Sequence, residues 1–111
     1  MMVVGALTMT LHVADSGGLK TKRKVARAVI DRVRAKFNAA AAEVGGQDTW
    51  QRLELGFTVC GNQTTHVQHQ MDEIVRYVER LALAEITDLR MEILPLKDMT
   101  WAPAANPPWE N

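Results

Sequence analysis

Eight of the chain's 13 Lys and Arg residues fall between Leu19 and Phe37: Lys20, Lys22, Arg23, Lys24, Arg27, Arg32, Arg34 and Lys36, with Asp31 the one acid among them. Ammonium and guanidinium groups at this density suit one chemistry above others. They bind phosphate oxygens, by charge and, for arginine, through paired N–H donors. Such binding weakens steeply with salt because it releases counterions. The plain alternative is a solvated helix face, which many helices present. Two features weigh against it. Lys20, Lys22, Arg23 and Lys24 crowd the first turns of the helix that the pattern predicts, where the helix dipole favours acids. The charge is also divided along the chain: residues 1–37 carry 8 basic and 2 acidic side chains (Asp15, Asp31) and residues 38–111 carry 5 and 11, which hides a +6/−6 split inside a formal net charge of +0. A dipolar molecule can present a basic face to an anionic partner and still stay soluble. The expected phosphate contacts are Lys20, Lys22, Arg23, Lys24, Arg27 and Arg34.

A second set is the connection Gln47-Asp48-Thr49-Trp50-Gln51-Arg52. Trp50 can stack on a base or fill a partner's pocket, and Arg52 can pair with phosphate or carboxylate. The favoured reading is structural: Trp50 closes one end of the core while Asp48 and Arg52 fix the loop. Catalytic sets are weaker. Ser16 is the one serine, in a Gly-rich turn, and His12 and Asp15 lie too close to it in sequence to form a triad. His66 and His69 with Glu73 have helical spacing for a metal but no fourth ligand, so surface histidines are expected. The one cysteine, Cys60, excludes an internal disulfide and a thiolate zinc cluster. Gly17-Gly18 alone is no phosphate-binding glycine loop. No catalytic residue, metal or cofactor is expected.

The elements that must position these residues follow from periodicity. Val3 to Val13 alternates, with Val3, Leu7, Met9, Leu11 and Val13 on one face and Thr8, Thr10 and His12 on the other, which predicts a half-buried strand. Asp15-Ser16-Gly17-Gly18 is turn chemistry. From Leu19 to Phe37, Val25, Val29, Val33 and Phe37 recur every four residues, widened by Ala26 and Ile30, and Lys20, Arg23, Lys24, Arg27 and Arg34 gather opposite them around Asp31. Asn38 is the expected C-cap. Residues 39–44 favour helix by alanine content, but their position between Asn38 and Gly45-Gly46 predicts a short strand. Arg52 to Gly61 alternates with Leu53, Leu55, Phe57 and Val59 inward. Asn62 or Thr64 then caps a second helix, whose apolar face is Val67, Met71, Ile74, Val75, Val78 and Leu81 and whose surface pairs Asp72 with Arg76. Glu85 to Leu94 is a last strand with Leu89, Met91 and Ile93 inward, and Pro95 stops it.

The order β-α-β-β-α-β is the ferredoxin-like, or split βαβ, arrangement: an α+β fold with a four-stranded antiparallel sheet and both helices on one face. RNA-recognition motifs share this order but stack bases on sheet aromatics. Here the corresponding outward positions are Thr8, Thr10, Glu54, Thr58 and Cys60, so RNA would be met by helix and loops, through backbone and shape. The domain is expected over residues 1–95, with an irregular Pro/Trp tail over 96–111 that carries Trp101 and Trp109. No apolar run approaches the roughly 18–20 residues that span a bilayer. The uncharged start Met1 to Met9 lacks a signal peptide's basic region, and a cytoplasmic location without membrane association is expected.

Leu19-Lys20-x-Lys22-Arg23 opening an Arg-rich helix, then Phe37-Asn38, Ala42-Glu43-Val44 and Gln47-Asp48-x-Trp50-Gln51-Arg52, resemble the YlxP-like family of small bacterial proteins of unknown function. The resemblance extends through Leu55-Gly56 to about Leu94. It implies a ferredoxin-like fold. Genes of this family tend to lie beside those for translation-initiation and ribosome-binding factors, which implies work on the ribosome or its RNA. Gly18 stands where relatives commonly have Ser, Gly46 where a His often precedes Gln-Asp, and Gly61-Asn62-Gln63 where they have Ser-Asn-Asp, so roles of those side chains do not carry over. The function expected is a non-enzymatic protein that contacts ribosomal RNA or a ribosomal subunit through its first helix, in ribosome maturation or translation. The alternative is a protein-interaction or homodimerisation module without nucleic-acid binding, built on the polar sheet face or strand edges with Trp101 and Trp109. A third reading, a small-molecule regulatory domain, has no residue set that specifies a ligand.

Overall fold

Three segments of two-residue alternation, the last interrupted by a bulge, and one short alanine-rich stretch build the sheet. The computed structural model describes residues 1–14, 18–46 and 51–98. Asp15, Ser16, Gln47, Asp48, Trp50, Trp101 and Trp109 lie outside the described residues. The elements are β1 (Val3–His12), α1 (Leu19–Lys36), β2 (Ala40–Gly45), β3 (Arg52–Gly61), α2 (Thr64–Leu81) and β4 (Glu85–Pro95), followed by a 3-10 turn, Leu96–Asp98. The sheet order is β2-β3-β1-β4, antiparallel at every neighbour. This is the expected ferredoxin-like βαββαβ fold. Among the described residues no helix is long and apolar enough to cross a membrane.

β1 lies inside the sheet and sets the register on both sides. Leu7 stands opposite Phe57 and Met91, Met9 opposite Leu55 and Leu89, and Leu11 opposite Leu53. Their side chains share one face, where α1 packs on β2 and β3 while α2 packs on β1, β3 and β4. Leu7, Met9, Leu11, Leu53, Leu55 and Phe57 meet Val29 and Val33 of α1 and Val67, Met71 and Ile74 of α2 in an almost solvent-free core. The approach of α2 is close enough to demand a glycine. A Cβ added at Gly5 would stand 2.6 Å from Val67 Cγ1 and 2.9 Å from Met71 Sδ.

Several local expectations are corrected. α1 closes at Phe37 rather than Asn38: Phe37 is extended, its N–H donates to Val33 O at 2.8 Å, and its ring meets Tyr77 edge-to-face at 5.6 Å. The contact seats Phe37 against Tyr77 at the point where the helix ends. α2 is preceded by Gln63, not Asn62 or Thr64, and no side chain caps it. Arg76 pairs with Glu73, one turn back at i,i+3, while Asp72 accepts from Gln68 Nε2 at 2.9 Å. Leu89 points to the helix side as expected but stays 39% exposed, because β4 is the outermost strand. The register of β4 shifts between Thr10 and Leu11 of β1, so Asp88 stands opposite Thr10 but Ile86 opposite Leu11. That bulge at Thr87 returns Ile86 to the core side. The stretch expected to be irregular from residue 96 opens with the 3-10 turn, where Leu96 N–H donates to Met2 O at 2.9 Å.

Gly5→Ala should lower stability by about 1–3 kcal/mol, since the new methyl overpacks against α2. Gly61→Ala, whose Cβ would sit 3.3 Å from Val67 Cγ2, should cost distinctly less. Urea midpoints of the two variants against wild type check both expectations.

Candidate nucleic-acid interface

α1 enters from Gly18, which takes φ 66° and ψ −142°, a conformation that side chains disfavour. No side chain caps this end and no acid lies in its first turn. Because Ala26, Val29 and Val33 face the sheet, the opposite side of the helix must carry its charges. Lys20, Arg23, Lys24, Arg27 and Arg32 are exposed there with Asp31, and together with Ala28 they line an open groove along the helix. The ion pairs among the described residues are Arg52–Glu54, Glu73–Arg76 and Asp88–Arg90. None of the five helix cations takes part in one. From Lys20 to Arg32 the row covers about 18 Å of helix axis at 1.5 Å per residue. A cleft of about 300 Å³ continues the surface toward β2, lined by Arg23, Arg27, Asp31 and Arg34, with Glu43 on its far side.

Lys22 is not on this face. It is only 3% exposed, and its Nζ donates to the carbonyl of Gly46, beyond the end of β2. Gly46 has φ 83°, and a Cβ there would meet Arg52 O at 2.6 Å, so this bend admits only glycine. The expected phosphate contact at Lys22 is therefore corrected to a tether between α1 and the loop that follows β2. Its position could have been read: Lys22, Ala26, Val29 and Val33 are spaced 4-3-4, the buried stripe of a helix. The stripe expected through Val25 and Phe37 leaves both half-buried.

Arg34 is exposed, but its Nη2 donates to Ala41 O at 2.7 Å, on the outermost strand β2. Part of its guanidinium is thus occupied by the fold. Lys36 stands over the Tyr77 ring, 4.9 Å from its centroid, a cation–π placement. Arg32 belongs to the exposed row and was absent from the expected set. On a helical wheel Arg32 falls about 100° from Asp31, on the flank beside Val25, and it joins the groove through Ala28, one turn before it, so the wheel alone does not group it with the row.

The loop residues divide. Gln51 is half-buried and its carbonyl accepts from Val13 N–H at 2.8 Å. Arg52 lies on the sheet face away from the helices, paired with Glu54. The same carboxylate crowds Gly45, where an added Cβ would overlap Glu54 Oε2. Arg52 and the α1 cations therefore look out from opposite sides of the sheet. That outer face carries Thr8, Thr10, His12, Glu54, Thr58, Cys60, Arg90 and Glu92, and no aromatic residue among those described. On α2, His66 meets Gln70 Nε2 at 3.2 Å and Glu73 holds Arg76, so both have partners on their own helix.

The family described as "Protein of unknown function (DUF503)" matches residues 4–91. The "Uncharacterized protein YlxP" of Bacillus subtilis (strain 168) is 31% identical over 90 residues, which are 81% of this chain and 98% of that protein. A solved structure, "Structural Genomics, protein YJCS", shares the fold at TM-score 0.51 and 12% identity, over 80% of this chain and 96% of that one.

Within the matched span, Lys22 and Lys24 are two residues apart and differ wholly in burial. Lys22→Met should lose about 1–3 kcal/mol by leaving the Gly46 carbonyl without its donor. Lys24→Met should stay within about 0.5 kcal/mol of wild type, as exposed substitutions do. Equal urea midpoints for the two variants would contradict the tether.

Proposed function

We propose, for a chain that belongs to the DUF503 family of proteins of unknown function, that the exposed row of α1 binds the phosphate backbone of structured RNA, with ribosomal RNA or a ribosomal subunit as the partner, and that the protein acts without catalysis. The observation that carries this reading is the state of Lys20, Arg23, Lys24, Arg27 and Arg32: exposed, lining one groove, and without an ion-pair partner among the described residues. Three of them stand in the first turns of α1, where each costs a few tenths of a kcal/mol against the helix dipole. Placement against stability favours selection for a ligand. A phosphate chain would recover the cost, because it brings negative charge to the end of the helix that attracts it.

The outer sheet face supports the mode of contact. Without aromatics it offers no base-stacking platform, so contact through α1 reads charge and shape more than sequence. Arg34 contributes less than its exposure suggests, since Ala41 O already takes one of its donors. Lys22 contributes through position only, by holding the start of the helix against the Gly46 bend.

The test is co-sedimentation with ribosomal subunits over a salt series. Wild type should bind with log K falling linearly in log salt, with a slope no steeper than about −4.5 if five duplex phosphates are neutralised. The triple variant Lys20→Glu, Arg23→Glu, Arg27→Glu should lose binding. Its thermal midpoint should hold or rise slightly, because acids suit that helix end. Salt-insensitive or absent wild-type binding, or a triple variant that binds like wild type, would overturn the reading.

A further inference from the structure

The two edges of the sheet are treated differently. β2 has six residues, its register shifts between Glu43 and Gly45, and the carbonyl of Ala41 is covered by Arg34. A short, kinked, side-chain-capped strand is a protected edge. β4 has eleven residues, and among the described residues no group hydrogen-bonds along its outer side. Leu96 N–H donates inward to Met2 O, toward β1. Backbone groups alternate along a strand, so Leu94, Glu92 and Arg90 also point to β1 while Leu89, Met91 and Ile93 aim their N–H and C=O groups outward.

We propose that this edge of β4 pairs antiparallel with the same edge of a second copy of the chain, about a two-fold axis at Met91, joining the two sheets into one of eight strands. The register follows from the strand's own limits. The bulge at Thr87 ends regular geometry on one side, and Pro95, which has no N–H, ends it on the other. Met91 is the midpoint. Pairing there sets Met91 opposite Met91, and Leu89 opposite Ile93 of the second copy twice over. On the helix side this buries the 39% of Leu89 left exposed in the single chain, together with half-buried Met91 and Ile93. On the outer side Arg90 falls opposite Glu92 of the second copy, again twice. Arg90 is free to make that pair: its side chain is 83% exposed and its one carboxylate contact, to Asp88, is 3.4 Å long. At the ends Asp88 faces Leu94 and keeps its contact with Arg90. An axis at Leu89 would set Met91 against the bulge, and one at Ile93 would set it against Pro95. The axis at Met91 alone matches apolar with apolar and opposite charge with opposite charge. α1 covers β2 and β3, away from β4, so this pairing and phosphate binding are independent.

Sedimentation and light scattering across a concentration series test it. The 12.4 kDa chain should run at twice that mass. Arg90→Glu alone and Glu92→Arg alone should each set like charges opposite one another and raise the dissociation constant at least about tenfold. An equimolar mixture of the two variants should recover the dimer, because every cross-axis pair becomes complementary. Met91→Pro should be a monomer with wild-type circular dichroism, since the lost N–H points away from β1. A wild-type monomer up to millimolar concentration overturns the proposal. So does a dissociation constant that either single charge reversal leaves unchanged, or a mixture that binds no more tightly than the single variants.

Discussion

Everything in this fold hangs on the register of β1. It is paired on both sides, and a slip of one residue would turn Leu7, Met9 and Leu11 toward solvent together. With that register held, the apolar faces of β3 and β4 fall into line and both helices have one surface to cover. The glycine at position 5 is part of the same constraint, since it lets α2 settle on β1 without displacing Val67 and Met71. The charged side of α1 then has nowhere to face but outward.

The electrostatics follow from this packing. The acids of the later chain are spread over β3, α2 and β4, where Glu54, Glu73 and Asp88 take local arginines. The exposed cations of α1 are left with Asp31 beside them and Glu43 across the cleft. A chain of zero formal charge thus holds one distinctly positive surface, and it lies on a rigid element packed over the sheet. Rigid placement matters for a phosphate reader, because fixed charges need less ordering when a ligand arrives.

The strands and helices were legible because their burial is one-sided and their periods are clean. Thr8, Thr10 and Glu54 were assigned correctly to the outer face for that reason. What escaped were features set by contacts between elements. Arg34 looked like one more surface charge until β2 supplied a carbonyl for it. Asp72 and Arg76 have the right spacing for each other, yet Asp72 accepts from Gln68 and Arg76 pairs with Glu73. The bulge at Thr87 has no glycine or proline to announce it. Lys22 is the instructive case: its charge suggests the surface, while its 4-3-4 spacing with Ala26, Val29 and Val33 places it inside.

The burial of Lys22 also decides what a block replacement of Lys20 to Lys24 would measure. Four cations in five residues invite treatment as a single patch, to be neutralised or swapped together. Three of them answer to solvent and one answers to the Gly46 bend, so such a block mixes loss of charge with loss of shape. Transplanting the basic run onto another helix would carry the positive field but not the orientation, since the anchor it needs lies 24 residues along the chain. The apparent linear motif is really a surface and a hinge pin interleaved at helical pitch.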